Sequence, residues 1–210
     1  DGVFNMVQGF GDAGAELVEN ERTDTVLFTG SAEVGHEVAS KVGGTPGKLA
    51  ACEMGGKNGI VVTEEADLDV AVHSAVMSSF KTTGQRCVSS ERLIVHEDVY
   101  DEFKERYVEV AQNIAVGDPL DEDTFMGPAI EEGHIEKIRR HNELAREEGA
   151  NVLVDRFELD DDEIPEGHED GHWVGPFVYE IDYDTDLRCI KEECFGPHVA
   201  LLKYSGDIER

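Results

Sequence analysis

The sequence predicts an α/β fold: a mostly parallel open sheet flanked by helices. Two observations carry this. Short β-branched, apolar runs alternate with longer runs whose apolar residues recur at helical spacing, and glycine or proline marks most of the changes. Strands that alternate with helices pair in parallel, because each helix carries the chain back along the sheet. At 210 residues, 40% of them hydrophobic, the chain can bury a core in one or two domains.

Residues 3–7 (Val-Phe-Asn-Met-Val) read as a short strand. Gly9, Gly11 and Gly14 follow in a G-x-G-x-x-G pattern, before a helical run over 15–19. Such glycines let a backbone approach a pyrophosphate, but glycine-rich strand-to-helix turns are common without one. Residues 25–29 form a stronger strand. Gly30 and Ser31 then turn the chain into a helix that runs to about 42 and stops at Gly43-Gly44, with Ser31 as N-cap. The free amides of that helix start could hold a phosphate; otherwise it is an ordinary capped turn. Strands are expected at 48–52 and 59–63. Between them lies Glu53-Met54-Gly55-Gly56-Lys57-Asn58, either a sharp turn beside a cavity or a hairpin with a solvated glutamate.

Asp67 starts a helix whose inner stripe is Leu68, Ala71, Val72, Ala75, Val76 and Phe80. Gly84 ends it, and Cys87 follows in a Gly-Gln loop, where a ligand could reach it; the alternative is a buried structural cysteine. A strand is expected over 91–96. A helix follows over 99–115, facing inward through Val99, Phe103, Tyr107, Val110 and Ile114, and another spans 131–148 and ends at Gly149. Residues 152–154, 177–181 and 199–204 read as strands. The acidic loop 158–170 is too polar to pack, and His168 within it and His172 just after it are expected to be solvated.

Net charge is −29, from 47 acidic and 18 basic residues. This argues against nucleic acid and anionic membranes as partners, since both require a positive footprint. The acid is spread along the chain, which suits a halophilic cytoplasm where salt screens self-repulsion. No apolar run approaches the ~18 residues of a membrane span. No signal-peptide pattern opens the chain, so a cytoplasmic protein is expected, and the start without Met suggests a piece of a longer product. The cysteines, Cys52, Cys87, Cys189 and Cys194, form no CxxC, and no Cys/His group has zinc spacing, so no metal is expected.

Four motifs in order resemble the aldehyde dehydrogenase superfamily. They are Phe28-Thr29-Gly30-Ser31-x-x-Val34-Gly35, Glu53-Met54-Gly55-Gly56-Lys57, Gly84-Gln85-x-Cys87 and Glu192-Glu193-x-Phe195-Gly196-Pro197. The resemblance implies an aldehyde dehydrogenase catalytic-domain-like fold and oxidation of a small-molecule aldehyde to an acid with NAD or NADP. It implies Cys87 as nucleophile and Glu53 as activator of water. A thiolate forms a covalent intermediate that splits a hard oxidation into two steps, and a carboxylate in a partly dry site makes a usable base. By the same resemblance the Cys87 N–H contributes to an oxyanion hole. Gly30, Ser31 and Gly35 lie near the pyrophosphate, Phe195 flanks the nicotinamide and Glu193 holds its ribose, Met54 also counts among the cofactor-binding residues, and residues 9–14 lie toward the adenosine end. The expected division is 1–53, the C-terminal end of a cofactor-binding domain, and 54–210, a partial catalytic domain, with the full-length parent a homo-oligomer.

Met54 stands where the family has Leu, Gly59 where Pro is common, and Cys194 where an aliphatic residue is usual. Residues 158–170 look like a peripheral insertion. Residues 85–87 and 126–128 are compatible with semialdehyde and pyrroline-carboxylate enzymes. An acylating dehydrogenase that uses CoA is disfavoured by the presence of Glu53. The remaining alternative is a non-catalytic α/β binding or assembly module.

Overall fold

A computed structural model describes residues 2–160 and 163–206, so Asp161 and Asp162 of the expected acidic loop lie outside the described residues. The chain divides into two compact units, Asp1–Gly55 and Gly56–Arg210.

In the first unit, α1 (Gly11–Glu19) precedes a parallel pair, β1 (Thr25–Gly30) and β2 (Leu49–Met54), joined through α2 (Ala32–Gly43). Ser31 caps α2, its hydroxyl accepting the Val34 N–H at 3.3 Å. Residues 3–7 are not a strand: Val3, Phe4, Met6 and Val7 are exposed, and a short apolar run with no neighbour to pair with cannot hold extended ladder geometry. Nor do the glycines form a turn, because Gly11 and Gly14 lie inside α1, which begins four residues earlier than expected.

The second unit is a five-stranded sheet in the order β3 (Asn58–Val62), β4 (Ser90–His96), β7 (His198–Tyr204), β6 (Phe177–Glu180), β5 (Asn151–Asp155). All neighbours are parallel except β5, which pairs with β6 antiparallel at one edge. The strands alternate by parity. Leu93, Val95, Val178, Val199 and Leu201 face one way and pack with α3 (Leu68–Phe80) and α4 (Glu97–Gln112). Phe177, Tyr179, Ala200 and Leu202 face the other way, toward Ala145 of α5 (Glu132–Glu147). Asp67 starts α3 by accepting the N–H groups of Asp69 and Val70. In α4 the buried stripe is Tyr100, Phe103, Tyr107 and Ala111, while Val110 is 41% exposed. The helix starts two residues earlier than expected, and Ile114 lies beyond its end, buried by the following loop.

The loop after β5 is less peripheral than its composition suggests. Arg156 pairs with Glu163 and donates to the Ile114 carbonyl at 2.8 Å, drawing Glu163 into a half-buried position. His168 is exposed, but His172 is half-buried, its carbonyl accepting the Ala129 N–H. Among the described residues, no helix is long and apolar enough to cross a membrane.

One buried polar pair ties the core to pH. His198 is fully buried, with Nδ1 2.8 Å from Asn142 Oδ1, and burial first, then the positive charge of Lys57, holds its pKa well below the ordinary value. The unfolded chain takes up that proton near pH ~6.5 and the folded chain does not, so stability is lost as pH falls below that point. His141, lowered chiefly by burial, acts with the same sign. Glu148, Glu163 and Glu180, whose pKa values are lowered, add their loss only at more acid pH. The expected result is a fall in the urea midpoint between pH ~7.5 and ~5.5, worth up to about 1.4 kcal/mol per pH unit from His198, and a shallower slope in His198→Gln.

Candidate active site

Cys87 is exposed, in a turn between α3 and β4 that Ser89 N–H closes on the Arg86 carbonyl. The other thiols of this unit, Cys189 and Cys194, are buried. Burial pushes Cys189 up to about 11, and Cys194 higher still.

The path into that turn is strained. Thr82 and Thr83 sit at φ 58° and 56°, and Gly84 at φ 67°. The left-handed region costs a non-glycine residue about 1–2 kcal/mol. Side-chain bonds offset it. Thr83 Oγ1 donates to the Gly127 carbonyl at 2.9 Å, and Gln85 Oε1 accepts the Ile130 N–H at 3.0 Å. Arg86 reaches the carbonyls of Met77 and Ser78. Asn58 Nδ2 donates to the Cys87 carbonyl at 2.6 Å and to the Ser89 carbonyl at 3.0 Å. The thiol therefore stands on a loop pinned from several directions.

Glu193 and Phe195 lie in the turn before β7. The Gly56 N–H donates to Glu193 Oε1 at 3.1 Å, across 137 residues of sequence. The other Glu193 oxygen accepts no protein hydrogen bond among the described residues. Phe195 is non-glycine at φ 59°, with its ring 6.0 Å from that of His134.

The remaining candidates belong to the first unit. Glu53 lies within β2, not in a sharp turn, and shares the exposed parity of that strand with Leu49 and Ala51. The hairpin alternative fails as well, since β2 pairs with β1 and not with β3. Gly30 ends β1, and Ser31 is committed to capping α2. Gly35 has a packing reason to be glycine: a Cβ there would lie 2.4 Å from the Met54 Sδ. The α2 N-terminus still offers the first-turn amides that suit an anion, although Glu33 in the same turn opposes one.

Three residues that support the site were not among the expected site residues: Lys57, inside the Glu53–Lys57 motif, and Glu91 and Asn58 outside it. Lys57 and Glu91 form an ion pair at 2.6 Å, with side chains only 5% and 3% exposed. Glu91 also accepts the Cys194 N–H at 2.9 Å and the Phe195 N–H at 2.8 Å. Asn58, described above, is the third. Glu91 carried a signal in sequence: it shares parity with Leu93 and Val95, which places a charge on the inward face of a strand. Among the described residues, no cluster of three or more His, Cys, Asp or Glu side chains is placed to hold a metal.

Comparison with known proteins matches residues 1–209 to the model of the aldehyde dehydrogenase family. The chain is 41% identical over 210 residues to a 1-pyrroline-5-carboxylate dehydrogenase of Geobacillus sp. (strain WCH70), covering 96% of this chain and 38% of that protein. It is 36% identical over 211 residues to a betaine aldehyde dehydrogenase of Brucella anthropi, covering 100% and 42%. Among solved structures, a betaine aldehyde dehydrogenase point mutant of Staphylococcus aureus, in complex with NAD+ and with a BME-modified cysteine, superposes with a TM-score of 0.84 at 30% identity over 92% of this chain and 38% of that one. The chain thus spans about two fifths of the length of these relatives. With the match running through both units and all four motifs, the chain belongs to the aldehyde dehydrogenase family.

Proposed function

We propose that the intact gene product oxidises an aldehyde to a carboxylic acid with NAD(P)+, and that residues 1–53 and 54–210 supply the end of its cofactor-binding domain and part of its catalytic domain. The observation that carries this reading is the contrast among the second unit's thiols: Cys87 is exposed on a pinned loop while Cys189 and Cys194 are buried. Reactivity follows thiolate access.

In this reading the Cys87 thiolate adds to the aldehyde carbon, and the oxygen takes the negative charge beside the Cys87 N–H. When bound, NAD(P)+ accepts the hydride that leaves the resulting thiohemiacetal carbon, and a thioester remains on Cys87. Glu53 takes a proton from water, the hydroxide adds to the thioester, and the thiolate leaves as the acid is released. Glu193 would hold the ribose hydroxyls of the bound cofactor, and Phe195 would flank its nicotinamide. Gly30, Ser31, Gly35 and Met54 serve the pyrophosphate end and the turn toward the nicotinamide. The site residues fit such a cofactor in one concrete respect: the Glu193 carboxylate accepts a backbone N–H on one oxygen and, among the described residues, no protein donor on the other.

The names of the relatives put pyrroline-5-carboxylate, in its semialdehyde form, and betaine aldehyde first in an aldehyde panel run with NAD+ and NADP+. Formation of NAD(P)H with the acid supports the reading. Its absence, together with equal slow alkylation of all four cysteines, favours the alternative of a binding or assembly module.

The same proposal makes the intact gene product a homo-oligomer, from its family resemblance, and sets it in a salt-rich cytoplasm, on the strength of the −29 charge. The Tm should rise by about 5 °C or more between about 0.1 and about 1 M KCl, as screening shortens the Debye length. A protein most stable in dilute buffer ends the halophilic part of the reading.

A further inference from the structure

Glu91 lies outside the residues that the proposed chemistry uses, yet among the described residues it is the buried carboxylate, 3% exposed. Its surroundings offer it three donors: the N–H of Cys194, the N–H of Phe195 and the ammonium of Lys57. Only a carboxylate, which accepts at both oxygens, satisfies all three. A glutamine would turn an NH2 group toward at least one of these donors.

The consequence runs to the cofactor side. Phe195 is held at φ 59°, a conformation an aromatic residue abandons unless its amide is anchored. Glu193 sits two residues before it, in the same turn. The other wall of that contact is Gly56, the residue before Lys57. Glu91 therefore fixes both partners of the Gly56–Glu193 hydrogen bond, one through backbone amides and one through the lysine. The nucleophile loop has separate ties, through Thr83, Gln85, Arg86 and Asn58.

We propose that Glu91 is a positioning residue for the nicotinamide-ribose clamp: it sets Glu193 and Phe195 for cofactor without acting on the Cys87 thiol. This rests on the function proposed above. The test uses the intact gene product and reads cofactor binding directly, by fluorescence titration with NADH or NADPH, beside the alkylation rate of Cys87 without cofactor. In Glu91→Gln the cofactor Kd should rise ~10- to 100-fold, the range expected when buried donors lose their acceptor, while Cys87 alkylation stays within about 2-fold. A second variant, Glu91→Gln with Lys57→Met, removes the unpaired buried charge. It should recover thermal stability yet keep the weakened Kd, and it carries the measurement if the single variant fails to fold.

An unchanged Kd in either variant, or a double variant that regains wild-type Kd along with stability, overturns the proposal, since Glu91 would then only neutralise Lys57. A rise in Kd matched by a parallel fall in the Cys87 alkylation rate also overturns it. Acid production that survives Cys87→Ser overturns the functional reading and leaves the Kd result standing. A wild type that binds neither cofactor form overturns both.

Discussion

Cys87→Ser should abolish aldehyde oxidation in the intact protein, lowering acid formation by at least ~10³-fold, as loss of a covalent nucleophile does elsewhere. The serine hydroxyl is nearly isosteric but stays protonated at neutral pH, so the first addition fails and nothing is left for hydride departure or water attack. Two further readings make the result specific. The side chain is exposed, so Tm should hold, with a stability change within about 0.5 kcal/mol. The fast phase of iodoacetamide labelling should vanish, leaving the slower background of half-buried Cys52 and of Cys189 and Cys194, whose burial raises their pKa values. Cofactor titration should be unchanged, because the proposed ribose contacts lie at Glu193. A Cys87→Ser protein that keeps its turnover places the nucleophile elsewhere.

The second large effect is expected at Gly84. An alanine Cβ there would lie 2.4 Å from the Gly196 carbonyl oxygen and 2.8 Å from that of Ser79, and φ is +67°. Both obstacles are backbone, so no rotamer change relieves them. The chain must give way either at the end of α3 or in the turn that carries Glu193 and Phe195. Gly84→Ala should therefore cost about 3 kcal/mol or more, from left-handed strain and steric displacement together, read as a loss of urea midpoint. Gly133→Ala is the control. It lies in the first turn of α5, and its nearest neighbour is the Glu131 Oε1 at 3.7 Å. There the change should be neutral or stabilising by up to about 1 kcal/mol. Equal effects at the two positions would remove steric contact with Gly196 as the reason for a glycine in the Gly-Gln-x-Cys motif.

Most of the second unit was legible because burial writes itself into spacing. Phe80, Phe103 and Tyr107 fall where a helical stripe puts them, and Leu93, Val95, Val199 and Leu201 where strand parity does. The failures have physical reasons. Residues 3–7 have strand composition, but a strand exists only as part of a pair, and composition says nothing about partners. The glycines at 11 and 14 signal a turn locally, while the structure absorbs them into α1. Val110 and Ala111 trade places because the positions three and four after Tyr107 both border its stripe, and spacing alone does not say which of the two turns inward. In the candidate site the motifs named the residues that would face a ligand, but not what holds them. Glu91, Asn58 and the two left-handed threonines act through contacts far away in sequence, which no local pattern displays. Glu53 was expected in a turn and stands in a strand, since two glycines after a carboxylate mark where β2 ends rather than where it bends.

The long-range ties around the thiol set an order of events at the ribosome. Cys87 emerges long before Phe195, yet the carboxylate beside it in sequence has no amides to receive until residues 194 and 195 arrive, 103 and 104 positions after Glu91. Gly56 waits longer still for Glu193. Closing such wide loops is slow, and it is delayed further by synthesis from the N-terminal end. Between its own synthesis and that of residue 195 the Cys87 loop therefore lacks the turn that Glu91 anchors, and the Gly56–Glu193 contact can close only around the time β7 becomes available to pair with β4.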